Sequence, residues 1–407
     1  MSFIINAKEL FDGEQLIQHR FVYVKDDKIF AISTKDEFPR EYARIGAPFL
    51  MPGIVDMHVH LSVDESHAIG GVNQALRQYL QLLIQNGITS VRDVGNSYAG
   101  YDIVEKIIPH PRIFKSGPLV DGTRPFWQGI SDSITTKEDI IRIVQDRCRH
   151  GCGWLKIYFG LPPALAAITL DEAKKHLLRT AIHGGYMSPL EAGKLGVTTI
   201  EHAHTLLTSF DTFPLTNTYQ EYLQSVFDVC ASLDLERSDI NDALTMLKKN
   251  KVAVCPTLRV MDVVLHPQLK DAELAGAQLF DDRYFKKAEV CTYTSGTKGF
   301  AQLLAFVARI HTAGITLLAG SDTPNPGVIP GHSLHHELRL LVAAGLSPLD
   351  ALKTATRNAG EILDKKIGRI TEGYAADLLI LKKSPIEDIQ NSQTIKQVFL
   401  SGNKVFG

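Results

Sequence analysis

Between residues 51 and about 364 the chain alternates short apolar stretches with amphipathic segments of helical length, and few architectures accommodate that rhythm. The apolar stretches fall at 53–60, 89–94, 112–116, 154–158, 180–183, 198–202, 252–256 and 316–320. Most of the intervals between them read as helices. Residues 73–84, for example, place apolar side chains at three-and-four spacing and stop at Asn86-Gly87, a suitable C-terminal cap. Eight such units predict an α/β chain folded as a (β/α)8 TIM barrel, whose chemistry sits at the C-terminal ends of its strands. The stretches 204–250 and 259–312 exceed a minimal connection and are expected to elaborate the mouth of that barrel.

The two ends of the chain read differently. Residues 20–32 form a hairpin pattern about Asp26-Asp27, and residues 376–381 and 397–406 supply further strands, the latter broken by Ser401-Gly402-Asn403. We expect one small β-sandwich domain from residues 1–50 and 365–407, flanking a barrel domain of 51–364. The whole chain of 407 residues suits that division.

Candidate chemistry lies where the predicted strands end. Met51-Pro-Gly-Ile-Val-Asp-Met-His-Val-His60 is a turn feeding a strand that closes on His58 and His60; side chains alternate faces along a strand, so both imidazoles point the same way. The fourth strand carries Lys156, the fifth ends in His183, the sixth in His202, and Asp322 follows the eighth. A single histidine is usually a core or surface residue. Four of them converging with an aspartate on one barrel mouth are metal ligands in search of an ion.

Bulk properties narrow the partners. Lys and Arg number 43 against 45 Asp and Glu, a net charge of -2, which gives no basis for binding nucleic acid or an anionic membrane. The five cysteines, at 148, 152, 230, 255 and 291, are odd in number and form no C-x-x-C pair, so reduced intracellular thiols are expected. The N-terminus meets Lys8 and Glu9 before a signal-length apolar run develops, and the most apolar late stretch contains Arg309 and His311. A cytoplasmic protein acting on a small-molecule substrate is the expectation, with a homo-oligomer left open.

With those residues in place the chain resembles the metal-dependent amidohydrolase superfamily, which carries H-x-H on strand 1, lysine on 4, histidines on 5 and 6 and aspartate on 8. Thr89-Ser-Val-Arg-Asp-Val-Gly, Ile200-Glu-His and Glu372-Gly-Tyr-Ala-Ala-Asp-Leu are similar to the branch of imidazolonepropionase-related amidohydrolases and Xaa-Pro or Xaa-Arg dipeptidases. The resemblance implies a hydrolase of carbon–nitrogen bonds with two divalent ions, zinc fitting the ligand types. His58, His60 and Asp322 would hold one ion, His183 and His202 the other, and Lys156 would bridge them as an N-carboxylated carbamate. An ammonium about 4 Å from a dication would cost roughly 8 kcal/mol at an effective dielectric of about 20, which favours the modified form. A metal-bridged hydroxide would attack the amide, with Asp322 as general base and then acid.

Substrate contacts are expected from Tyr158, two residues after Lys156, from Arg124 and Trp127 in the loop after the third strand, and from His335 of the His332-Ser-Leu-His335-His336 cluster. His204 repeats the H-x-H spacing with His202 and reads as a loop residue or a substrate contact. That third-strand loop, Asp121 to Gly129, lacks the Gly-Gly-His element of many dipeptidases in this branch. Other readings remain beside this one. They are a cyclic amide hydrolase of the imidazolonepropionase type, a deaminase on the same barrel, and a scaffold without metal. A metallo-β-lactamase pattern would need aspartate where Ser62 stands.

Overall fold

The computed structural model describes residues 2–62, 71–213, 216, 218–267 and 292–407. Strands β1 (Ser2–Phe11), β2 (Leu16–Lys25), β3 (Lys28–Ser33) and β4 (Ala43–Pro52) come from the N-terminal end. The central strands are β5 (Ile54–Val59), β6 (Ile88–Asp93), β7 (Arg112–Lys115), β8 (Leu119–Asp121) and β9 (Ser131–Ser133). They continue through β10 (Trp154–Ile157), β11 (Arg179–His183), β12 (Thr199–Glu201) and β13 (Ala253–Cys255). The chain closes on β14 (Leu378–Leu381), β15 (Ile395–Leu400) and β16 (Asn403–Phe406).

Both termini meet in one seven-stranded sheet of order β16-β15-β14-β4-β1-β2-β3. The junction is the antiparallel pairing of β14 with β4, which sets Leu378 opposite Pro52 and Leu381 opposite Phe49. Apolar residues from both ends, among them Ile5, Val22, Leu50, Leu378 and Phe399, bury together as a separate core. The expected hairpins are present: Lys25 pairs with Lys28 across Asp26-Asp27, and Leu400 pairs with Asn403 across Ser401 and Gly402. Gly402 is required there, because its φ is 73° and a Cβ would lie 1.9 Å from the Asp26 carbonyl oxygen.

The central strands are all parallel, in two groups ordered β5-β6-β7 and β13-β12-β11-β10-β8-β9. Six of the eight expected strands are present as such, within a few residues of their predicted bounds. The third is split into β7 and β8 at Ser116-Gly117-Pro118. Gly117 has φ 74°, Pro118 has no N–H for a ladder, and the buried Arg147 guanidinium fills the break by donating to the Pro118 carbonyl and to Asp132. β7 then pairs with β6 and β8 with β10.

The eighth stretch is extended without forming a regular strand. Thr316 accepts from Val254 N at 2.9 Å on one side, and Ala319 accepts from Met57 N at 2.9 Å on the other. It continues to Asp322 N, which donates to the His58 carbonyl at 2.8 Å. Regularity ends because Asp322 takes a left-handed conformation, φ 59°. This segment links β13 to β5, while the Asp56 carboxylate clamps it by accepting from Ser321 N at 3.0 Å and Ser321 Oγ at 2.6 Å.

Helices cover these strands. Val72–Gln85 buries Leu76, Tyr79, Leu80, Leu83 and Ile84 on the strand side. The two long elaborations contain helices at Ala203–Thr208, Tyr219–Ser232, Ser238–Lys249, Leu258–Leu265 and Gly296–Thr312. Part of the second elaboration, including Cys291, lies outside the described residues. The four described cysteines are free thiols. No helix among the described residues is long and apolar enough to cross a membrane.

Candidate metal centre

β5 delivers His58 and His60 to the C-terminal end of the parallel strands, where the segment after residue 320 places Asp322. His58 Nε2 lies 3.3 Å and His60 Nε2 3.6 Å from Asp322 Oδ1. The other nitrogen of each ring explains why Nε2 faces the aspartate. His58 Nδ1 is 2.7 Å from Glu201 Oε2, and His60 Nδ1 is 3.0 Å from the Gly95 carbonyl oxygen. A carbonyl and an ionised carboxylate only accept, so Nδ1 carries the hydrogen in both rings and Nε2 keeps its lone pair. Burial pushes the two imidazoles down to about 3 and about 4, so both are neutral at pH 7.

Glu201 is the hub of this arrangement. Its Oε1 accepts from Arg92 Nη2 at 2.7 Å and from Thr199 Oγ1 at 2.5 Å while Oε2 takes His58. Burial opposes the charge, yet Arg92, Lys156 and His58 together hold the carboxyl well below its usual range. Arg92 is itself fixed by donating from Nε to the Met57 carbonyl at 2.7 Å and by lying 4.6 Å over the Trp154 ring. An adjacent buried carboxylate, Asp93, folds the next loop by accepting from Leu61 N and Gly95 N. That loop presents the Gly95 carbonyl to His60.

His202 ends β12 with a φ of 65°. Its Nδ1 is 2.7 Å from Thr257 Oγ1 and 3.8 Å from Asp322 Oδ2. Thr257 donates its own hydroxyl hydrogen to the Pro256 carbonyl at 2.9 Å, so it accepts from His202 and again leaves Nε2 unprotonated. The rings of His183 and His202 sit 4.4 Å apart, and those of His58 and His202 4.8 Å apart. Burial lowers both His183 and His202 well below the ordinary imidazole value.

Lys156 projects from β10 into this group, and its Nζ is buried with no hydrogen-bond partner. Burial and the Arg92 charge push its ammonium down, although Glu201 and Asp322 pull the other way. Burial raises Asp322. A buried amine without a hydrogen-bond partner is a poor way to fill a polar site. Ligand atoms of His58, His60 and Asp322 all lie within 4.8 Å of one another, so the residues fit a divalent cation with nitrogen and oxygen donors. A second grouping, His58, Glu201 and Cys255, fits less well. Both Glu201 oxygens are already engaged, and burial raises the Cys255 thiol well above its usual value, far from the thiolate a metal needs.

The structure brings all six sequence-derived ligand candidates to one place. Tyr158 is there too, its ring 5.0 Å from His183, and Trp127 Nε1 donates to Tyr158 Oη at 2.9 Å. Arg124 stands exposed on the Trp127 loop. His335 is a correction. It is buried against the end of Val72–Gln85, with Nδ1 2.9 Å from Ser392 Oγ and Nε2 2.9 Å from the Asn86 carbonyl. Both nitrogens are used in fastening chain segments, which leaves none for substrate. His204 is buried beside His202, ring centroids 5.5 Å apart, with Nε2 3.4 Å from Tyr222 Oη and Nδ1 unpartnered. Sequence reasoning missed Glu201, Arg92 and Thr257, although the first two stand inside Ile200-Glu-His and Thr89-Ser-Val-Arg-Asp-Val-Gly.

Residues 49–405 match the amidohydrolase family, a span that contains every one of these side chains. The chain belongs to that family. This amidohydrolase is therefore a hydrolase acting on carbon–nitrogen bonds. It is 24% identical to the ochratoxinase of Aspergillus niger over 459 aligned residues, covering 97% of this chain and 84% of that protein. The crystal structure of that ochratoxinase superposes with a TM-score of 0.74 at 20% identity, covering 100% of this chain and 96% of that one. A Xaa-Pro dipeptidase with methionine bound in its active site superposes with a TM-score of 0.72 at 19% identity, with 100% of both chains covered. These superpositions establish the amidohydrolase α/β fold.

Proposed function

We propose that this amidohydrolase cleaves an amide or peptide-like bond of a small molecule using two divalent ions held by His58, His60, Lys156, His183, His202 and Asp322. The observation that carries the proposal is the approach of two Nε2 lone pairs, each set by an acceptor-only partner on Nδ1, to one oxygen of Asp322. The same reading closes the eight parallel segments into a (β/α)8 barrel of residues 51–364, with 1–50 and 365–407 as a second domain. The name of one structural relative, a Xaa-Pro dipeptidase, supports a peptide-like bond as the one cleaved.

Nitrogen and carboxylate donors without sulfur fit zinc. When bound, such ions lower the pKa of water from about 16 to about 7 and polarise a carbonyl oxygen. The protein's own groups do the rest. Lys156, pushed towards its neutral amine by burial, is suited to add to carbon dioxide, forming an N–C bond and releasing one proton to give an anionic carbamate. Asp322, raised by burial, takes the proton released as water adds to the substrate carbonyl carbon. It then delivers that proton to the leaving nitrogen as the C–N bond breaks. Tyr158 Oη accepts from Trp127, so its own hydrogen is free to donate to the carbonyl oxygen of the substrate.

Metal analysis of protein purified without chelator tests the proposal, together with a screen of N-acyl amino acids, Xaa-Pro and Xaa-Arg dipeptides and cyclic amides read by released amine. Asp322→Asn is expected to abolish turnover. Lys156→Ala is expected to lose activity that short-chain carboxylates partly restore. Protein that carries no transition metal and regains none from added zinc or manganese would sink the reading.

A further inference from the structure

Six aromatic side chains are exposed among the described residues, and five of them stand after β8, β10, β11 and β12: Phe126, Trp127, Phe159 and Tyr186 on the loops that follow the first three, and Tyr219 at the start of the helix Tyr219–Ser232. Phe126 is 65% exposed, Trp127 47% and Tyr186 66%. Exposed apolar area is unfavourable in water, so a solvent-facing group of large rings in one region calls for an occupant.

The rings form a continuous path away from the metal-side histidines. Phe126 and Trp127 meet edge to face at 5.2 Å, and the Trp127 indole donates to Tyr158, whose ring is 5.0 Å from His183. Phe159 lies 6.2 Å from His183 and 6.2 Å from Tyr186. A second arm leaves His202 through His204 to Tyr222, whose ring is 6.2 Å from Tyr219. The surface is thus contiguous with the centre described above.

It is also held rigid. Asp121 Oδ1 accepts from Gly122 N at 2.8 Å and Gly160 N at 2.7 Å, and Oδ2 accepts from Phe126 N at 3.0 Å. Tyr186 N donates to the Phe159 carbonyl at 3.0 Å. Glycine permits these contacts: a Cβ on Gly122 would sit 2.2 Å from the Gly160 oxygen, and one on Gly185 2.1 Å from the Phe159 oxygen. These backbone bonds tie the three loops to one another, which fixes the Cα positions from which Phe126, Trp127, Phe159 and Tyr186 project.

We infer that these rings are a substrate subsite that stacks a planar aromatic group next to the scissile amide, so that the preferred substrates are aromatic amides. The inference rests on the proposed hydrolytic centre only for the position of that amide. The aromatic group stands on the acyl side or the amine side, and both sources share the same stacking chemistry.

Trp127 supplies a readout that needs no turnover. The chain has 2 tryptophans, and Trp154 is buried beneath Arg92, so an added nitroaromatic quenches Trp127. The probes are N-(4-nitrobenzoyl)glycine and N-acetylglycine 4-nitroanilide, compared with N-acetylglycine as competitor, on metal-loaded protein and its Asp322→Asn variant. Saturable quenching by at least one nitroaromatic probe, undisplaced by N-acetylglycine, is expected. Affinity should fall about ten-fold in Phe159→Ala/Tyr186→Ala, while Phe159→Tyr/Tyr186→Phe should retain it. Equal affinity in wild type and the double alanine variant would overturn the inference. So would a larger species in sedimentation that the alanine variant splits while quenching is unchanged, because the rings would then be an interface between copies. Quenching with no hydrolysis of any amide would count against the hydrolytic reading and leave the stacking subsite standing.

Discussion

At the scale of single residues, the site depends on which nitrogen of each histidine carries its proton. Glu201 decides this for His58 and the Gly95 carbonyl for His60. Glu201→Gln keeps the volume but allows the amide to donate to His58 Nδ1, turning Nε2 into an N–H that repels a cation. Orienting partners of this kind typically contribute 10–100-fold to metal affinity, so we expect a loss of about that size. Chelator competition measures it, with circular dichroism to confirm the fold, and an unchanged affinity would contradict the role given to Glu201. The candidate histidines were legible in the sequence because few residue types bind metals and strand spacing ties His58 to His60. Their orienting partners were not, since Arg92, Glu201 and Thr257 come from three different strand ends that only folding brings together.

At the scale of elements, His335 shows how chain order misleads. It follows the Asp322 segment closely, yet its ring joins Ser392 and Asn86, which are 57 and 249 residues away in the chain. Burial lowers its imidazole from the ordinary value of 6.5 to about 4. The unfolded chain therefore takes up this proton near pH 6.5 and the folded chain only near pH 4. Folding stability associated with the neutral ring is intact above about pH 6.5 and is lost as the pH falls towards 4, by up to roughly 3 kcal/mol at 1.36 kcal/mol per unit. Urea unfolding at pH 7.5, 6 and 5 should show a shallower pH dependence in His335→Gln than in wild type, and parallel curves would refute the assignment. The split third strand and the irregular eighth have the same origin. Arg147 and Asp56 occupy the breaks, and neither interaction leaves a trace in local hydrophobic periodicity.

At the scale of the molecule, the terminal sheet and the parallel strands are joined through the buried Asp377. Its carboxylate accepts from Arg112 Nε at 2.9 Å and from Ser401 N at 2.7 Å, and its carbonyl accepts from Gly53 N at 2.8 Å. Asp377→Ala strands the Ser401 N–H and leaves Arg112 with Ser401 Oγ alone, a loss of about 1–2 kcal/mol after allowing for the partial exposure of Arg112. Denaturant unfolding followed by tryptophan fluorescence and far-UV circular dichroism should show the lower midpoint, and a midpoint equal to wild type would argue against this joint. Hydrophobic periodicity alone determined the parallel strand–helix rhythm of the centre and the β character of both ends, because those patterns follow from which side chains must leave water. Scarce ligand chemistry at predicted strand ends pointed to the four histidines and Asp322 as candidates, and the resemblance to the superfamily added Lys156. Only the tertiary structure decided the tautomers, the isolation of Lys156, the structural role of His335 and the gathering of aromatic rings on neighbouring loops. Each of these depends on residues distant in the chain, and no local spacing encodes their approach.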